Sequence, residues 1–252
     1  MITRGALVDY LATYLSCHEY QDYAPNGLQI EGREPIVRLC TAVSASASVI
    51  QHAVACGADA LLVHHGFFWK GEALPITGIK RQRIASFLRY DLNLLAYHLP
   101  LDGHPVLGNN ACLAQMLGIG APRMHTVNQI PRILWSGDLP QGLSLEALSQ
   151  HMAQELAREP LVIRGHERPN VHVAWCSGAG QDLIEDAARL GADAFISGEV
   201  SERTYYLAQE LGINYLSCGH HATERAGIFR LGQHLALEFN LENVYIETDN
   251  PI

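Results

Sequence analysis

The chain has 252 residues, 48% of them apolar, and a formal net charge of -9 at pH 7. That length suits one large domain or two ordinary ones, and the composition is typical of a folded protein without a disordered tail. Lys and Arg form no basic stripe of the kind that binds a phosphate backbone, so nucleic acid is not expected as a partner.

The N-terminal segment carries Arg4 and Asp9 among its apolar residues, which predicts a first helix and does not fit a signal peptide. No apolar stretch reaches the roughly 20 residues of a membrane-spanning helix, so we expect no membrane partner. The cysteines are scattered and form no C-x-x-C pair, which argues against a thiolate zinc site or a disulfide framework. We therefore expect reduced thiols and a cytoplasmic location.

One strand–helix–strand unit occurs twice along the chain. The apolar runs at 37–44 and 171–178 both end in small residues, as buried strands do, and a helical pattern follows each. The sequence Gly-Ala-Asp-Ala then appears at 57–60 and at 191–194, where it marks a helix end, a tight turn and a new strand. Such units imply a parallel sheet covered by helices.

We therefore predict an α/β fold with two duplicated repeats related by a pseudo-two-fold axis, in parallel or mixed sheets covered by helices. Residues 1–124 form the first predicted repeat and residues 125–252 the second, which we expect to be intertwined with the first. The less repetitive middle of the chain holds one clear helix from Ser144 to Arg158, with Ser144 as its N-cap.

The strand that follows Gly-Ala-Asp-Ala ends at a polar or metal-capable pair in both copies. This pair is His64-His65 in the first copy and Gly198-Glu199 in the second. In open α/β sheets, ligands bind outside the carboxyl ends of the strands. Both pairs lie where that rule predicts a site.

The next strand of each copy leads into a His-x3-acid pattern, His98 with Asp102 and His220 with Glu224. Imidazoles and carboxylates suit divalent zinc, iron, manganese, nickel or cobalt. If a helix starts at His220, that residue and Glu224 lie on one face of it. A carboxylate that bridges two ions about 3.5–4 Å apart is common in metallohydrolases.

Adjacent side chains on a regular strand point to opposite faces, so His64 and His65 can share a cavity only where the strand ends, and Gly66 supplies that break. Any one of the thirteen histidines is more commonly an ordinary surface or core residue. Their clustering at corresponding strand ends nevertheless favours a metal site.

Three other motifs each have two or more interpretations, and a fourth has one. Residues 177–180 (Ser-Gly-Ala-Gly) form a tight strand-to-helix turn or a phosphate cradle. Residues 80–83 (Lys-Arg-Gln-Arg) form a solvated helix face or bind a small anion. Residues 67–69 (Phe-Phe-Trp) form a lid, an oligomer contact or core. Asn109-Asn110 is predicted to cap a helix that begins near Ala111.

Taken together, five motifs resemble the Nif-three-like dinuclear metal-centre proteins, also called GTP cyclohydrolase type-two homologues, in their short bacterial form. The resemblance covers almost the whole chain, and its motifs lie at 22–29, 63–66, 98–102, 108–110 and 219–224. It implies a duplicated α/β fold, a toroidal homohexamer and two divalent metal ions per subunit.

The family's metal positions correspond here to His64, His65, Asp102, His220 and Glu224, with Glu224 as the bridging ligand. His98, His221 and Glu199 lie nearby in the pattern and are candidate catalytic residues for supporting the ligands or transferring protons. The family does not bring a settled reaction, because fold and family alone do not establish chemistry.

Three functional hypotheses follow. The first is a dinuclear metal-dependent hydrolase that acts on a nucleotide-like or other small molecule. The second is a non-catalytic, metal-binding hexameric regulator, scaffold or metal-delivery protein. The third is a nucleotide-binding module that uses the turn at 177–180. The proton-transfer candidates favour the first hypothesis, and the lack of a recognisable substrate clamp keeps the second open.

Overall fold

The computed structural model describes all 252 residues, which form a mixed α/β structure with two sheets covered by helices. This observation confirms the predicted fold class. None of the helices has both the length and the apolar character needed to cross a membrane. The chain divides into two compact units. Unit 1 comprises Met1–Leu101 and Gly227–Asp249, and unit 2 comprises Asp102–Ala226 and Asn250–Ile252. The division into repeats 1–124 and 125–252 stays a prediction.

The helices and strands have the following bounds. The helices are α1 (Arg4–Tyr14), α2 (Ala47–Ala55), α3 (Gly78–Tyr90), α4 (Leu99–Asp102), α5 (Asn109–Met116), α6 (Leu145–Leu156), α7 (Ile184–Arg189), α8 (Glu202–Leu211) and α9 (His220–Phe239). The strands are β1 (Gly27–Ile30), β2 (Arg38–Ser44), β3 (Ala60–His65), β4 (Asn93–Ala96), β5 (Arg123–Val127), β6 (Ile130–Leu143), β7 (Leu161–Ile163), β8 (Asn170–Cys176), β9 (Ala194–Ser197), β10 (Asn214–Ser217) and β11 (Glu242–Tyr245).

Unit 1 contains a five-stranded sheet in the order β1-β4-β3-β2-β11. Strands β2, β3, β4 and β11 are parallel, whereas β1 runs antiparallel to β4. The central strand β3 begins with a continuous apolar run, as expected for a parallel strand covered on both faces. Leu61 and Val63 of β3 pack with Val49 and Ile50 of α2 in one buried core.

Unit 2 contains a six-stranded sheet in the order β5-β6-β8-β9-β10-β7. Its centre, β8-β9-β10, is parallel, and the outer strands pair antiparallel. Trp135, Trp175 and Leu148 lie in its core and are at most 1% exposed. The predicted N-cap is confirmed, because the side chain of Ser144 accepts a hydrogen bond from the Ala147 N–H.

The repeated Gly-Ala-Asp-Ala sequence has the same structural role in both units. Asp59 Oδ2 accepts hydrogen bonds from the backbone N–H groups of residues 37 and 38 at 2.9 Å. Asp193 Oδ2 does the same for residues 171 and 172 at 3.0 Å. The glycine two residues before each aspartate has a positive φ, 66° in one copy and 76° in the other, and turns the chain from helix to strand. Each turn thus sets where the next strand begins, at Ala60 in unit 1 and at Ala194 in unit 2.

Candidate metal centre

Three imidazoles converge at the carboxyl ends of two neighbouring parallel strands in unit 1. His64 and His65 end β3, and His98 lies two residues beyond the end of β4. Each ring offers one ligand atom, and these atoms all lie within 4.8 Å of one another. The rings of His64 and His65 have centroids 4.5 Å apart, so adjacent strand residues do turn to one cluster at this strand end.

Hydrogen bonds fix the rings that β3 supplies. His64 is fully buried, and its Nδ1 lies 2.9 Å from the Tyr97 carbonyl oxygen. Because a carbonyl oxygen only accepts, Nδ1 carries the hydrogen, and Nε2 of the neutral ring carries the lone pair that a metal needs. The Nδ1 of His65 lies 3.2 Å from Ser44 Oγ at the end of β2.

His98 is oriented by the buried carboxylate of Asp22, which lies in the motif at 22–29 but to which the sequence assigned no role. Its Nδ1 donates to Asp22 Oδ1 at 2.9 Å, and Asp22 Oδ2 accepts from Asn26 Nδ2 and the Leu99 N–H. Burial raises the pKa of Asp22, but these hydrogen bonds and the nearby His98 outweigh it and lower the pKa overall. An ionised carboxylate on Nδ1 is the usual support of a metal-ligating histidine.

His98 therefore has the geometry of a candidate ligand as well as that of a proton-transfer group. Two aromatic rings pack against it: the centroid of Trp69 lies 5.3 Å from that of His98, and the centroid of Tyr23 lies 4.9 Å away. The residues of the Phe-Phe-Trp motif therefore have different surroundings. Phe67 belongs to the core at 4% exposure, whereas Trp69 lies beside the imidazoles.

In unit 2, a histidine and a glutamate face each other across the first turn of α9. His220 Nε2 lies 3.2 Å from Glu224 Oε2, so the predicted shared helix face is confirmed. Glu224 is buried at 2% exposure. On the other side of the ring, His220 Nδ1 donates to Glu199 Oε1 at 2.7 Å. Glu199 is thus a positioning residue for His220.

The two carboxylates make His220 a strong proton acceptor. Burial lowers the pKa of His220, but the hydrogen bonds and charges of Glu224 and Glu199 outweigh burial and raise the pKa to about 9. Glu224 and Glu199 attract the positive charge of the protonated ring, and a divalent cation would be attracted for the same reason.

Asp102, the other predicted carboxylate ligand, is held by unit 2. It is 4% exposed, and its Oδ1 accepts from Asn109 Nδ2 and from Ser177 Oγ, both at 2.8 Å. The predicted cap at Asn109-Asn110 is wrong, because α5 begins at Asn109 with Gly108 as its N-cap. Asn109 instead fixes the carboxylate, and Asn110 Oδ1 accepts from the Ser177 N–H.

The glycine-rich turn after β8 is a structural turn that makes room for Glu224. Gly178 has φ of 61°, and a Cβ at this position would lie 2.2 Å from Glu224 Oε1. Its N–H donates to Thr223 Oγ1, and the N–H of Gly180 donates to Ser197 Oγ, both at 3.0 Å. Since these amides already donate within the protein, the turn interpretation is confirmed over the phosphate cradle.

Two remaining candidates have structural contacts of their own. His221 is buried at 5% exposure, and its backbone N–H donates to the Ile252 carbonyl oxygen at 2.9 Å. Its proposed role in proton transfer stays a prediction. The basic cluster at 80–83 belongs to α3, where Lys80 lies over the ring of Phe68 and forms an ion pair with Glu72. Lys80 thus covers apolar surface within its own unit.

The donor atoms in both units suit a divalent metal. Unit 1 presents three imidazoles, two of them with their Nδ1 atoms held by a carbonyl or a carboxylate. Unit 2 presents the buried carboxylates of Asp102 and Glu224 with the imidazole of His220. Borderline divalent ions accept this mixture of nitrogen and oxygen donors. The protein therefore has His, Asp and Glu clusters that can bind metal.

A comparison with protein families assigns the chain. The model of the family described as Duf34/NIF3 (NGG1p interacting factor 3) matches residues 2–251. The chain belongs to the Duf34/NIF3 family. This result confirms the resemblance that the five sequence motifs indicated.

Curated members of the Duf34/NIF3 family align over nearly the whole chain. A protein of Allochromatium vinosum is 48% identical over 246 residues, which cover 97% of this chain and 96% of that protein. A protein of Vibrio cholerae is 49% identical over 243 residues, which cover 94% and 95% of the two chains. Both carry the name "GTP cyclohydrolase 1 type 2 homolog".

Solved structures of similar proteins share the fold over the full chain. One, titled "protein ybgI, unknown function", has a TM-score of 0.94 and 42% identity, with 100% of both chains covered. Another, from Thermus thermophilus, has a TM-score of 0.89 and 32% identity over 100% of both chains.

Proposed function

We propose that this protein is a dinuclear metal-dependent hydrolase that acts on a nucleotide-like or other small molecule. The proposed metal ligands are His64, His65, Asp102, His220 and Glu224, with Glu224 bridging the ions. The observations that carry the proposal are the ligand atoms of His64 and His65, which lie within 4.8 Å of each other in unit 1, and the 3.2 Å approach of His220 Nε2 to Glu224 Oε2 in unit 2. The metal identity stays open among zinc, iron, manganese, nickel and cobalt.

The proposed reaction uses water as nucleophile. Divalent ions at this centre would lower the pKa of coordinated water from about 16 to about 7 and so supply a nucleophile at neutral pH. Glu199 orients His220 through Nδ1, and Asp22 orients His98 in the same way. Asn109 and Ser177 hold the Asp102 carboxylate, so its orientation does not have to be established during turnover.

No covalent enzyme intermediate is proposed, because the cysteine nearest to the site in sequence is a poor nucleophile. Cys218 is fully buried, and burial raises the pKa of its thiol to about 12. A thiol of this kind stays protonated at neutral pH, whereas the thiolate is the reactive form. Alkylating agents should therefore leave activity intact as long as the metal content is unchanged.

The alternative is a non-catalytic, metal-binding homohexamer that serves as a regulator or scaffold. One observation favours it: groups expected to hold an anionic substrate have structural contacts instead. Lys80 covers Phe68, and the amides of Gly178 and Gly180 donate to protein hydroxyls. A substrate clamp is thus less evident than a metal site.

The test is turnover by the metal-loaded protein on a panel of nucleotides and phosphoesters. The panel includes GTP, because the curated relatives are named after a GTP cyclohydrolase. We expect hydrolysis that a chelator abolishes and that Asp102→Ala and Glu224→Ala each remove. Activity that survives chelation, or that disappears on thiol alkylation with metal retained, would contradict the mechanism. No turnover on any compound would favour the regulator.

The homohexamer and the cytoplasmic location are proposals as well. Support for the hexamer comes from the family resemblance, and support for a reducing location from six cysteines that are all free thiols. Light scattering at micromolar concentration should give the mass of six chains. A monomer under those conditions would rule the hexamer out.

A further inference from the structure

An aromatic pair lies beside the imidazoles of unit 1. Tyr23 precedes β1, and Trp69 follows the end of β3. Their ring centroids are 5.9 Å apart, and their planes differ by 31°. The backbone N–H of Lys70 donates to the Tyr23 carbonyl oxygen at 2.8 Å. The two segments are thus joined through the backbone as well as through the contact between the rings.

Both rings meet His98 at a steep angle. The centroid of Tyr23 lies 4.9 Å from that of His98, and the two planes differ by 72°. For Trp69 these values are 5.3 Å and 88°, and its centroid also lies 5.8 Å from that of His65. The pair therefore forms a wall at the edge of the imidazole cluster. A ligand ring that stacks on this wall lies next to candidate metal ligands.

The surface of this aromatic pair is open to solvent. Tyr23 is 51% exposed and Trp69 is partly exposed, whereas the other two tryptophans, Trp135 and Trp175, are at most 1% exposed. Apolar ring surface in water is unfavourable, and covering it with another flat ring is favourable. Nucleobases stack on such side chains because every base has a π-face. The pair thus suits a flat heteroaromatic ligand.

An unpaired positive charge follows the aromatic pair in sequence. Lys70 is exposed, and its ammonium group forms no ion pair or hydrogen bond within the protein. Lys80, the other lysine of the chain, is already paired with Glu72. A lysine ammonium is a point charge on a flexible four-carbon stem. Lys70 can therefore bind an anionic group of a ligand whose ring lies against the aromatic pair.

We propose that Tyr23 and Trp69 stack against the base of a nucleotide and that Lys70 binds its phosphate. This inference rests on the proposed hydrolase function and narrows the substrate from a small molecule to a nucleotide whose base faces the imidazoles. The base, and not the phosphate, is then the part of the substrate nearest to His98. Tyr23 and Trp69 determine specificity, because a compound without a flat ring leaves them uncovered.

The test measures the tryptophan fluorescence of the full-length protein, both as purified and after removal of metal. Because Trp135 and Trp175 are buried in unit 2, a ligand can quench only Trp69 by contact. The probes are GMP, guanosine, ribose 5-phosphate and inorganic phosphate, with excitation where the base does not absorb. We expect saturable quenching by GMP with and without metal, weaker binding of guanosine, and no quenching by the two probes that lack a base.

Four variants separate the contacts. Tyr23→Leu should weaken GMP binding by about tenfold, as loss of a stacking ring typically does, whereas Tyr23→Phe should bind GMP like the wild type. Lys70→Gln should weaken GMP binding by roughly two- to fivefold at low salt and leave guanosine binding unchanged. The control is Arg81→Gln, which removes an exposed charge from α3 in the same unit and should not alter GMP binding.

Two results would overturn the proposal. One is equal quenching by GMP and ribose 5-phosphate, which would show that the base is not recognised. The other is normal GMP binding by Tyr23→Leu together with lost metal or an altered mass in light scattering, because Tyr23 would then support His98 or a subunit contact instead. Quenching by GMP without turnover of any nucleotide would support the site and contradict only the hydrolase function.

Discussion

In each unit, a histidine that follows a central parallel strand donates through Nδ1 to a carboxylate. The acceptor of His98 in unit 1 is Asp22, at 2.9 Å, and the acceptor of His220 in unit 2 is Glu199, at 2.7 Å. The two orienting carboxylates come from different places in the repeat. Asp22 precedes the duplicated strands, whereas Glu199 lies within two residues of the end of β9.

The difference lies in what the corresponding strand end contributes. In unit 1, β3 ends in His64 and His65, so that strand end supplies candidate ligands. In unit 2, the corresponding residues are Gly198 and Glu199. A Cβ on Gly198 would lie 2.6 Å from the Gly178 carbonyl oxygen, so this strand end supplies space and an orienting carboxylate instead. The two units therefore present different donors, a nitrogen-rich set in unit 1 and a carboxylate-rich set in unit 2.

The two sets also differ in charge. Unit 1 presents three imidazoles beside the single carboxylate of Asp22, whereas unit 2 buries the two carboxylates of Asp102 and Glu224. Buried carboxylates are costly unless a cation or hydrogen bonds compensate them. We therefore expect changes in unit 2 to affect metal binding more strongly than equivalent changes in unit 1.

The largest effect is expected for Gly178→Ala. Its Cβ would overlap Glu224 Oε1, and its positive φ disfavours any side chain. Gly191→Ala is the matched control, because Gly191 also has a positive φ but has no atom within 4 Å of the added Cβ. The control should lose about 1–2 kcal/mol of unfolding free energy. Gly178→Ala should lose roughly 1–3 kcal/mol more and also its metal.

Denaturant unfolding and metal analysis of the two glycine variants decide this point. Equal destabilisation with equal metal content would show that the turn after β8 has no special relation to Glu224. In that case, close packing of Gly178 against Glu224 would not be needed for metal binding by the carboxylates of unit 2.

A smaller effect is expected for Glu199→Gln. This change keeps the size of the side chain but removes the charge that accepts from His220 Nδ1. Loss of such an orienting carboxylate typically lowers metal affinity by about 10–100-fold. Titration of the metal-free protein with a divalent ion measures this change. Unaltered affinity would mean that His220 does not need Glu199 for its orientation.

The smallest effect is expected for Asp22→Asn, the corresponding change in unit 1. His98 loses its ionised acceptor, but His64 and His65 keep their own hydrogen bonds to Tyr97 and Ser44. Affinity should fall by about tenfold, at the low end of the usual range. The same titration provides the comparison. If Asp22→Asn lowers metal affinity more than Glu199→Gln does, then unit 1, and not unit 2, is the more sensitive to loss of its orienting carboxylate.

Local patterns made the fold and the candidate ligands predictable. The spacing of His220 and Glu224 predicts one helix face, and α9 begins at His220 as that prediction requires. The Gly-Ala-Asp-Ala turns likewise predicted where β3 and β9 begin. Both predictions succeed because helix ends and turns are encoded by residues that are neighbours in the sequence.

The supporting contacts could not be predicted in this way. Asp22 is remote from His98 in sequence, and Ser177 is remote from Asp102, so neither pair leaves a local pattern. The turn at Gly178 resembled a phosphate loop because both structures need glycine. Its actual neighbour, Glu224, lies in another element. Contacts of this kind depend on tertiary packing, which periodicity does not encode.

Metal stoichiometry in Glu224→Ala, compared with the wild type, tests the proposed dinuclear centre most directly. Both proteins are loaded with the same divalent ion and separated from unbound metal. Their metal content is then measured by inductively coupled plasma mass spectrometry. If Glu224 bridges, the wild type should hold two ions per chain, and the variant should lose more than one of them. Full metal occupancy in Glu224→Ala would contradict the central claim.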